Sequence, residues 1–489
     1  MTRGVGVGLD GTGRVHVVGV GGAGMSAIAE LVRGLGHRVS GTDRTESATL
    51  ARLRALGVDA RAPHDRTAVE DACLVVRSSA IPPDNPELVR ATELGIPVIH
   101  RSEALALIAA RDVVVAVAGS HGKTTTSAMV TSALAAGGWD PSYAIGAVVT
   151  GTGHGAAVGR GGVMVLEADE SDGSFLAYRP DVGVVTNVEP DHLDHYGSLQ
   201  AVEEAFVEFA ATMRPGGVLV VCADDPGAAR VGAQARRAGS DVITYGFTSG
   251  ADARIAWEGA AENCDPRPRI RFTNAGGDMV TIALPMPGRH IALNVTAAYT
   301  AAVAAIQRIP RRLGREDEAA LVGGLESFAG TARRFELRGE VSGVRVIDDY
   351  AHHPTEIDAT VAAARTVAGS GRIVAVFQPH LYSRTAAFAP EFAAALAAAD
   401  QVAVMDVYAA REQPVAGVDG NLIASRVPGA VHLPHRGDVA DRLAGWARAG
   451  DIILTLGAGD VTDLVPEILA SLAEHAEHTS HTDPEGMAS

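Results

Sequence analysis

Short apolar runs recur along the chain, and each ends in glycines or polar residues. Val113-Val-Val-Ala-Val-Ala118, Val163-Met-Val-Leu166, Val182-Gly-Val-Val185 and Val218-Leu-Val-Val-Cys222 are rich in β-branched residues. They are too short for buried helices and read as strands covered on both faces. Val15-His-Val-Val18 and Leu74-Val-Val76 precede them, and Val344-Arg-Val-Ile347, Ile373-Val-Ala-Val-Phe377, Val402-Ala-Val-Met405 and Ile452-Ile-Leu-Thr-Leu456 follow. Helical stretches lie between, such as Val202 to Met213 and an Ala-rich run from about Asn294 to Arg308. This alternation predicts α/β architecture with parallel sheets. Residues 250–285 break the pattern and read as short antiparallel strands with polar turns. No internal repeat is visible.

Composition narrows the functional classes. A chain of 489 residues predicts about three domains. With 47% apolar and 20% charged residues it has the make-up of a soluble globular protein. A net charge of −17 argues against nucleic acid and anionic membranes as partners, so anionic ligands must be met by local sites. Cys73, Cys222 and Cys264 have no paired spacing, which suits a reducing compartment and neither disulfides nor a zinc site. No run is long enough to span a membrane and no signal-peptide layout is present, so a cytoplasmic protein is expected.

The chemistry concentrates where the strands end. After Val113–Ala118 comes Gly119-Ser120-His121-Gly122-Lys123-Thr124-Thr125-Thr126. A Gly-rich turn opening a helix aims backbone N–H groups at an anion, and the lysine adds a mobile positive charge. Lys123 is the only lysine in the chain, every other basic residue of the Lys/Arg class being arginine. A compact ammonium stands where a nucleotide phosphate would lie. Two residues separate Gly119 from Gly122, against four in the common P-loop.

Earlier, the strand at Val15 runs into Gly19-Val-Gly21-Gly22-Ala23-Gly24, with Asp43 ending the next strand. Taken alone, this Gly-x-Gly-x-x-Gly with a following acid reads as a dinucleotide turn. Ser78-Ser79-Ala-Ile-Pro-Pro-Asp84-Asn85-Pro-Glu87 is a Pro-stiffened loop after another strand, where ligands of open α/β sheets bind. The first domain closes near Ala109, after Pro97-Val-Ile-His100-Arg-Ser102-Glu103.

Two further strand ends carry acids and histidines: Glu167-Ala-Asp169-Glu170-Ser-Asp172 and Glu189-Pro-Asp191-His192-Leu-Asp194-His195. Thr124, Glu167 and His192 thereby come to one sheet edge, a donor set suited to Mg²⁺ beside a phosphate loop. Glu170 is an alternative to Glu167 that the sequence leaves open. Arg333-Arg334-Phe-Glu336 joins the second domain to the third, where paired arginines suit a phosphate clamp. In the third domain Asp348-Asp349-Tyr-Ala-His352-His353-Pro354 and Phe377-Gln-Pro-His380-Leu-Tyr-Ser-Arg384 lie at strand ends facing a ligand. The fold class expected is three-domain α/β: a Rossmann-like domain over 14–109, a central P-loop ATPase-like parallel-sheet domain over 110–332, and a C-terminal Rossmann-like domain over 333–472. Residues 1–13 are expected to be mobile, and 473–489, polar and His-rich, to form a disordered tail.

Taken together, these motifs resemble those of the UDP-N-acetylmuramate–L-alanine ligases within the Mur ligase family, in the same order over roughly residues 15–470. The resemblance implies that Gly21, Gly22, Ala23, Gly24, Asp43, Ser78 and Ser79 hold a UDP-sugar in place of a dinucleotide. It implies an ATP site of Gly119, Ser120, His121, Gly122, Lys123, Thr124 and Thr125 with Asn294, Arg334 and Asp349. Mg²⁺ is then assigned to Thr124, Glu167 and His192. Lys123, His192 and Arg334 become the catalytic set, while His352, His380 and Arg384 orient the substrate and alanine. The partners implied are UDP-N-acetylmuramate, L-alanine and ATP, with a homodimer left open. The same resemblance places ATP between the second and third domains.

Some positions depart from the pattern. Ile291 stands where many relatives have Asn, Leu381 where Arg is common, and Ala351 where Gly is frequent. Val207 occupies the position at which sibling ligases carry a carbamylated lysine. A chain whose one lysine is Lys123 cannot form that carbamate, which favours the alanine-adding branch. A ligase attaching a whole tripeptide to the same UDP-sugar is the nearest alternative. A folylpolyglutamate synthetase should lack the first glycine turn, and a non-catalytic nucleotide sensor needs no acid–histidine cluster. Lys123→Arg is expected to keep the charge but abolish ligation, because a planar fork does not fit the ammonium's place. ATP-dependent phosphate release at a near wild-type rate would contradict this.

Overall fold

The valine-rich runs form strands because β-branched side chains pack well on a pleated surface and lose helix stability at χ1. In the computed structural model, which describes residues 13–258, 267–310, 313–410 and 412–481, these strands build three mainly parallel sheets. The chain divides into two compact units, Met1–Met286 with Ile291–Ala329, and Pro287–His290 with Gly330–Ser489. The first holds two of the sheets. No helix among the described residues is long and apolar enough to cross a membrane.

The N-terminal sheet has β1 (Arg14–Val18), β2 (Arg38–Thr42), β3 (Asp59–Arg61), β4 (Ala72–Arg77) and β5 (Val98–His100), in the order β3-β2-β1-β4-β5 and all parallel. The central sheet follows with β6 (Val113–Ala118), β7 (Ser142–Ala144), β8 (Ala156–Ala157), β9 (Val163–Glu167), β10 (Val182–Val185), β11 (Val218–Cys222), β12 (Asp241–Gly246) and β13 (Ala253–Arg254). Its order is β13-β12-β11-β10-β6-β9-β7-β8. β6 therefore runs between β9 and β10, parallel to both. One edge of the loop after β6 faces the end of β9 and the other faces the end of β10. The expected antiparallel strands are β14 (Ala256–Glu258), β15 (Arg269–Thr273) and β16 (Met279–Ala283), a separate three-stranded sheet.

The second unit has β17 (Glu336–Val341), β18 (Val344–Asp349), β19 (Ile373–Phe377), β20 (Gln401–Val404), β21 (Val431–His432) and β22 (Ile452–Leu456), ordered β17-β18-β22-β19-β20-β21. Only the first pair, β17 with β18, is antiparallel. β22 inserts between β18 and β19, so the last strand among the described residues completes the centre of this sheet.

Two expectations change. The tail expected to be disordered from residue 473 instead continues a helix, Val465–His481. Its apolar stripe, Val465, Ile468 and Leu472, docks on the sheet. Nothing in the sequence stops the helix there, and alanines at 473 and 476 let it run on. Residues 482–489 lie outside the described residues, as do the Gly-rich residues 1–12 and Cys264. The other expectation concerns Glu87, read as part of a ligand-facing loop. It lies instead fully buried in the N-terminal domain, in the helix Pro86–Glu93. Its carboxylate accepts hydrogen bonds from Thr42 Oγ1 at 2.6 Å and from the Asp65 backbone N–H at 2.9 Å, and lies 3.2 Å from His16 Nε2. Pro86 at the first helical turn and the Asn85 cap turn that carboxylate inward.

Burial alone would raise the Glu87 pKa, but the bonds from His16 and Thr42 outweigh it and hold the group below its ordinary 4.5. A depressed carboxylate contributes stability that is full above the unfolded-state value and lost as pH falls through the folded one. Glu87→Gln should therefore cost about 1–3 kcal/mol at neutral pH. The difference from wild type should close as the pH falls below about 4. Thermal unfolding across that range tests this, and an equal deficit at every pH would contradict it.

Candidate active site

The loop between β6 and the helix Lys123–Ala136 is a tight turn that only glycine can make at its ends. Gly119 has φ +138° and Gly122 has φ +81°. A Cβ on Gly119 would stand 1.9 Å from Thr186 Oγ1, and one on Gly122 would stand 2.9 Å from Asn294 Oδ1. The end of β10 holds the loop from the other side. Asn187 Oδ1 accepts from the His121 N–H at 2.7 Å, and Thr186 Oγ1 donates to the His121 carbonyl at 2.6 Å. Ser120 Oγ accepts from the Glu189 N–H at 2.9 Å. The sequence does not mark Thr186 and Asn187 as loop supports, because their signal is a register between strands and not a motif.

Lys123 folds back over this loop. Its Nζ donates to the Gly119 carbonyl at 2.6 Å and lies 2.9 Å from Glu170 Oε2. Burial works to lower the ammonium's pKa, but Glu170, Asp169 and Glu167 together raise it, so the cation is retained. Glu170 is buried, and burial, helped by Asp169, pushes it up to about 7 in spite of Lys123. The neighbouring acid has a different partner. Glu167 Oε1 accepts from Thr124 Oγ1 at 2.7 Å, and its Oε2 accepts from the Gly146 N–H at 2.6 Å. His192, in a left-handed conformation with φ +54°, brings Nε2 to 3.6 Å from Glu170 Oε1. Thr124 with Glu167, and Glu170 with His192, thus form two neighbouring pairs after the loop. These are hard oxygen donors with one nitrogen, a set that fits Mg²⁺ beside phosphate oxygens.

The first glycine turn lies in the same unit. Gly19 has φ +75°, and the Gly21 N–H donates to Asp43 Oδ2 at 2.8 Å. Gly22 caps the helix Ala23–Gly34, whose N-terminus points its amides toward the turn. Ser79 Oγ donates to Asp172 Oδ2 at 2.5 Å and lies 3.0 Å from His100 Nε2, so it connects the N-terminal domain to the loop after β9. Ser78 follows β4 directly and is half-buried.

In the second unit, Arg334 lies over the Tyr350 ring, 5.0 Å from its centroid, with Nη1 3.5 Å from Glu356 Oε1. Asp349 accepts from the Phe335 N–H at 2.7 Å and the Ala351 N–H at 2.8 Å. Burial pushes its pKa up to about 6. The His352 and His380 rings stand 6.1 Å apart, and His380 stacks on Tyr408 at 5.7 Å. Arg384 is buried at the start of the helix Tyr382–Leu396, which follows Leu381 at φ +69°. Tyr350 and Tyr408 complete this ring cluster. The sequence shows both at strand ends, but not that they stack.

Three family models match successive segments of the chain. Residues 14–112 match the family described as Mur ligase family, catalytic domain, residues 117–302 the Mur ligase middle domain, and residues 333–459 the Mur ligase, glutamate ligase domain. The chain is 53% identical to the UDP-N-acetylmuramate--L-alanine ligase of Kineococcus radiotolerans, covering 97% of this chain and all of that one. It is 49% identical to the enzyme of the same name from Renibacterium salmoninarum, over 95% of this chain and 97% of that one. Among solved structures, the UDP-N-acetylmuramate-alanine ligase MurC of Thermotoga maritima superposes with a TM-score of 0.73 at 27% identity, covering 96% of this chain and 100% of that one. The murein peptide ligase mpl of Psychrobacter arcticus shares the fold, with a TM-score of 0.65 at 23% identity over 94% and 99% of the two chains.

Gly119→Ala tests the loop. Forcing a Cβ into the left-handed region against Thr186 should cost about 1–3 kcal/mol of stability, read by denaturant titration. Nucleotide binding should be lost with it. An unchanged nucleotide affinity would show that the turn does not need this backbone conformation.

Proposed function

The chain belongs to the Mur ligase family, and we propose from this that it joins L-alanine to the lactyl carboxylate of UDP-N-acetylmuramate with cleavage of ATP. A carboxylate resists amine attack because it is anionic and its oxygen is a poor leaving group. Transfer of the γ-phosphoryl group from ATP to a carboxylate oxygen releases ADP and gives an acyl phosphate. The uncharged amine of alanine then attacks the carbonyl carbon, and inorganic phosphate leaves from the tetrahedral intermediate. An enzyme drawing on ATP and a UDP-sugar in this way works in the cytoplasm, as a step in peptidoglycan precursor synthesis.

The observation that carries this reading is the buried ammonium of Lys123, the chain's sole lysine, folded over a glycine turn. Fixed positive charge and loop amides stabilise the transferring phosphoryl group without reorganisation during the step. The separate partners of the two acids support Glu167, which already receives the Thr124 hydroxyl, as the Mg²⁺ ligand. Glu170 then positions Lys123. Thr124, Glu167 and His192 are the residues proposed to hold Mg²⁺, which when bound neutralises charge on the phosphate oxygens. Arg334 is proposed as a further cation for the γ-phosphate. Asn294 and Asp349 are assigned to adenine and ribose, and His352, His380 and Arg384 to the carboxylate and amino-acid end.

Phosphate release from ATP should require both UDP-N-acetylmuramate and L-alanine. Release with the tripeptide L-alanyl-γ-D-glutamyl-meso-diaminopimelate but not with L-alanine would overturn the reading in favour of the peptide-adding reaction.

A further inference from the structure

The segment after β5 marks the close of the first domain in the sequence, yet it places a cation at the glycine turn. Arg101 opens the helix Arg101–Ile108, and its backbone is pinned by a capping box. The His100 side chain accepts from the Ser102 N–H, and Glu103 Oε2 accepts from the His100 N–H at 2.7 Å. The Arg101 side chain, only 19% exposed, then reaches in two directions. Its Nη2 donates to Asp169 Oδ2 at 2.9 Å and lies 3.7 Å from Asp172 Oδ2. Its Nη1 faces the first glycine turn, where a Cβ added to Gly24 would come within 3.3 Å of it.

A diphosphate carries about two negative charges, while a helix N-terminus offers only about half a positive one. The chain's net charge of −17 offers no general attraction. A guanidinium has five donors in a planar fork, so it can keep one edge on a carboxylate and present the other to a phosphate. Asp169 is suited to the first task. Its Oδ2 accepts from Arg101 Nη2 while its Oδ1 accepts from the Ser171 N–H at 3.1 Å, so the carboxylate is fixed from both sides. Asp172, held by Ser79 Oγ at 2.5 Å, backs the same edge.

We infer that Arg101 binds the diphosphate of the UDP-sugar at the Gly21–Gly24 turn, with Asp169 and Asp172 as the positioning residues that aim its fork. This rests on the reading above that the turn holds a UDP-sugar. The arrangement also places the substrate's charge beside the acidic loop that carries Glu167 and Glu170. A Cβ at Gly24 would stand tightly against the guanidinium, which would have to give by a few tenths of an ångström.

The test compares two ligands on the full chain: UDP-N-acetylmuramate, titrated calorimetrically, and uridine, followed by ligand-observed NMR. Arg101→Gln should weaken the UDP-sugar about ten- to hundredfold, the range for a lost charge-assisted hydrogen bond. Uridine binding should be unchanged, and Arg101→Lys should recover part of the loss. Because Arg101→Gln leaves Asp169, whose side chain is only partly exposed, without its guanidinium partner, the double variant Arg101→Gln/Asp169→Asn is measured alongside. It should show the same selective loss. UDP-sugar affinity within twofold of wild type in the double variant would overturn the inference. So would an equal weakening of uridine, which marks a purely structural role. A wild-type chain that bound the UDP-sugar no better than uridine would count instead against the glycine-turn reading itself.

Discussion

The central domain depends on one buried ammonium. Lys123 has given up most of its water, and a charge so placed survives only if the protein replaces the hydration shell. Two loop carbonyls and the Glu170 carboxylate do so. The carbonyls are available because Gly119 and Gly122 hold the backbone in conformations that turn them inward. The loop is in turn held by Thr186 and Asn187 on the next strand. Removing any part leaves either a buried charge or an unpaired carbonyl, so the motif behaves as a unit and not as a set of independent contacts.

The two acids after β9 illustrate how a low-dielectric site divides labour. Glu167 ends the strand and meets Thr124, while Glu170, three residues on, sits deeper against Lys123 and beside His192. Burial raises Glu170 toward neutrality, whereas Asp169 between them, with cations on either side, is held strongly acidic. Neighbouring carboxylates thus differ by several units of acidity because of what surrounds them. The same loop meets the N-terminal sheet's side through Arg101 and Ser79, so the five-stranded and eight-stranded sheets of the first unit are joined by polar contacts at the point where their ligands are expected.

The second unit uses a different device. Asp349 spends its carboxylate on the backbone amides of Phe335 and Ala351, which fixes the turn after β18. Arg333 and Arg334 both lie over the Tyr350 ring, and the His352, His380 and Tyr408 rings continue the surface. Stacked rings and guanidinium planes hold orientation with little conformational freedom to lose. Such a surface suits a site that must align a small amine with a carboxylate.

Much of this was legible in the chain. The β-branched runs announced the strands, the glycines at 119 and 122 announced a tight turn, and the sole lysine singled out the start of the helix after β6. These are local properties, set by side-chain sterics and backbone freedom within a few residues. The acidity of the β9 loop was also plain, but not which acid serves which partner. Thr124 and Glu167 are 43 residues apart, Lys123 and Glu170 47, and Arg101 and Asp169 68. Their meeting is decided by the order β10-β6-β9 and by the docking of the N-terminal domain on the loop after β9. The inward turn of Glu87 and the continuation of the last helix past residue 473 are of the same kind. The sequence determined which chemistry each strand end carries. Tertiary structure decided the pairing, because pairing depends on strand order and burial, which no local stretch contains.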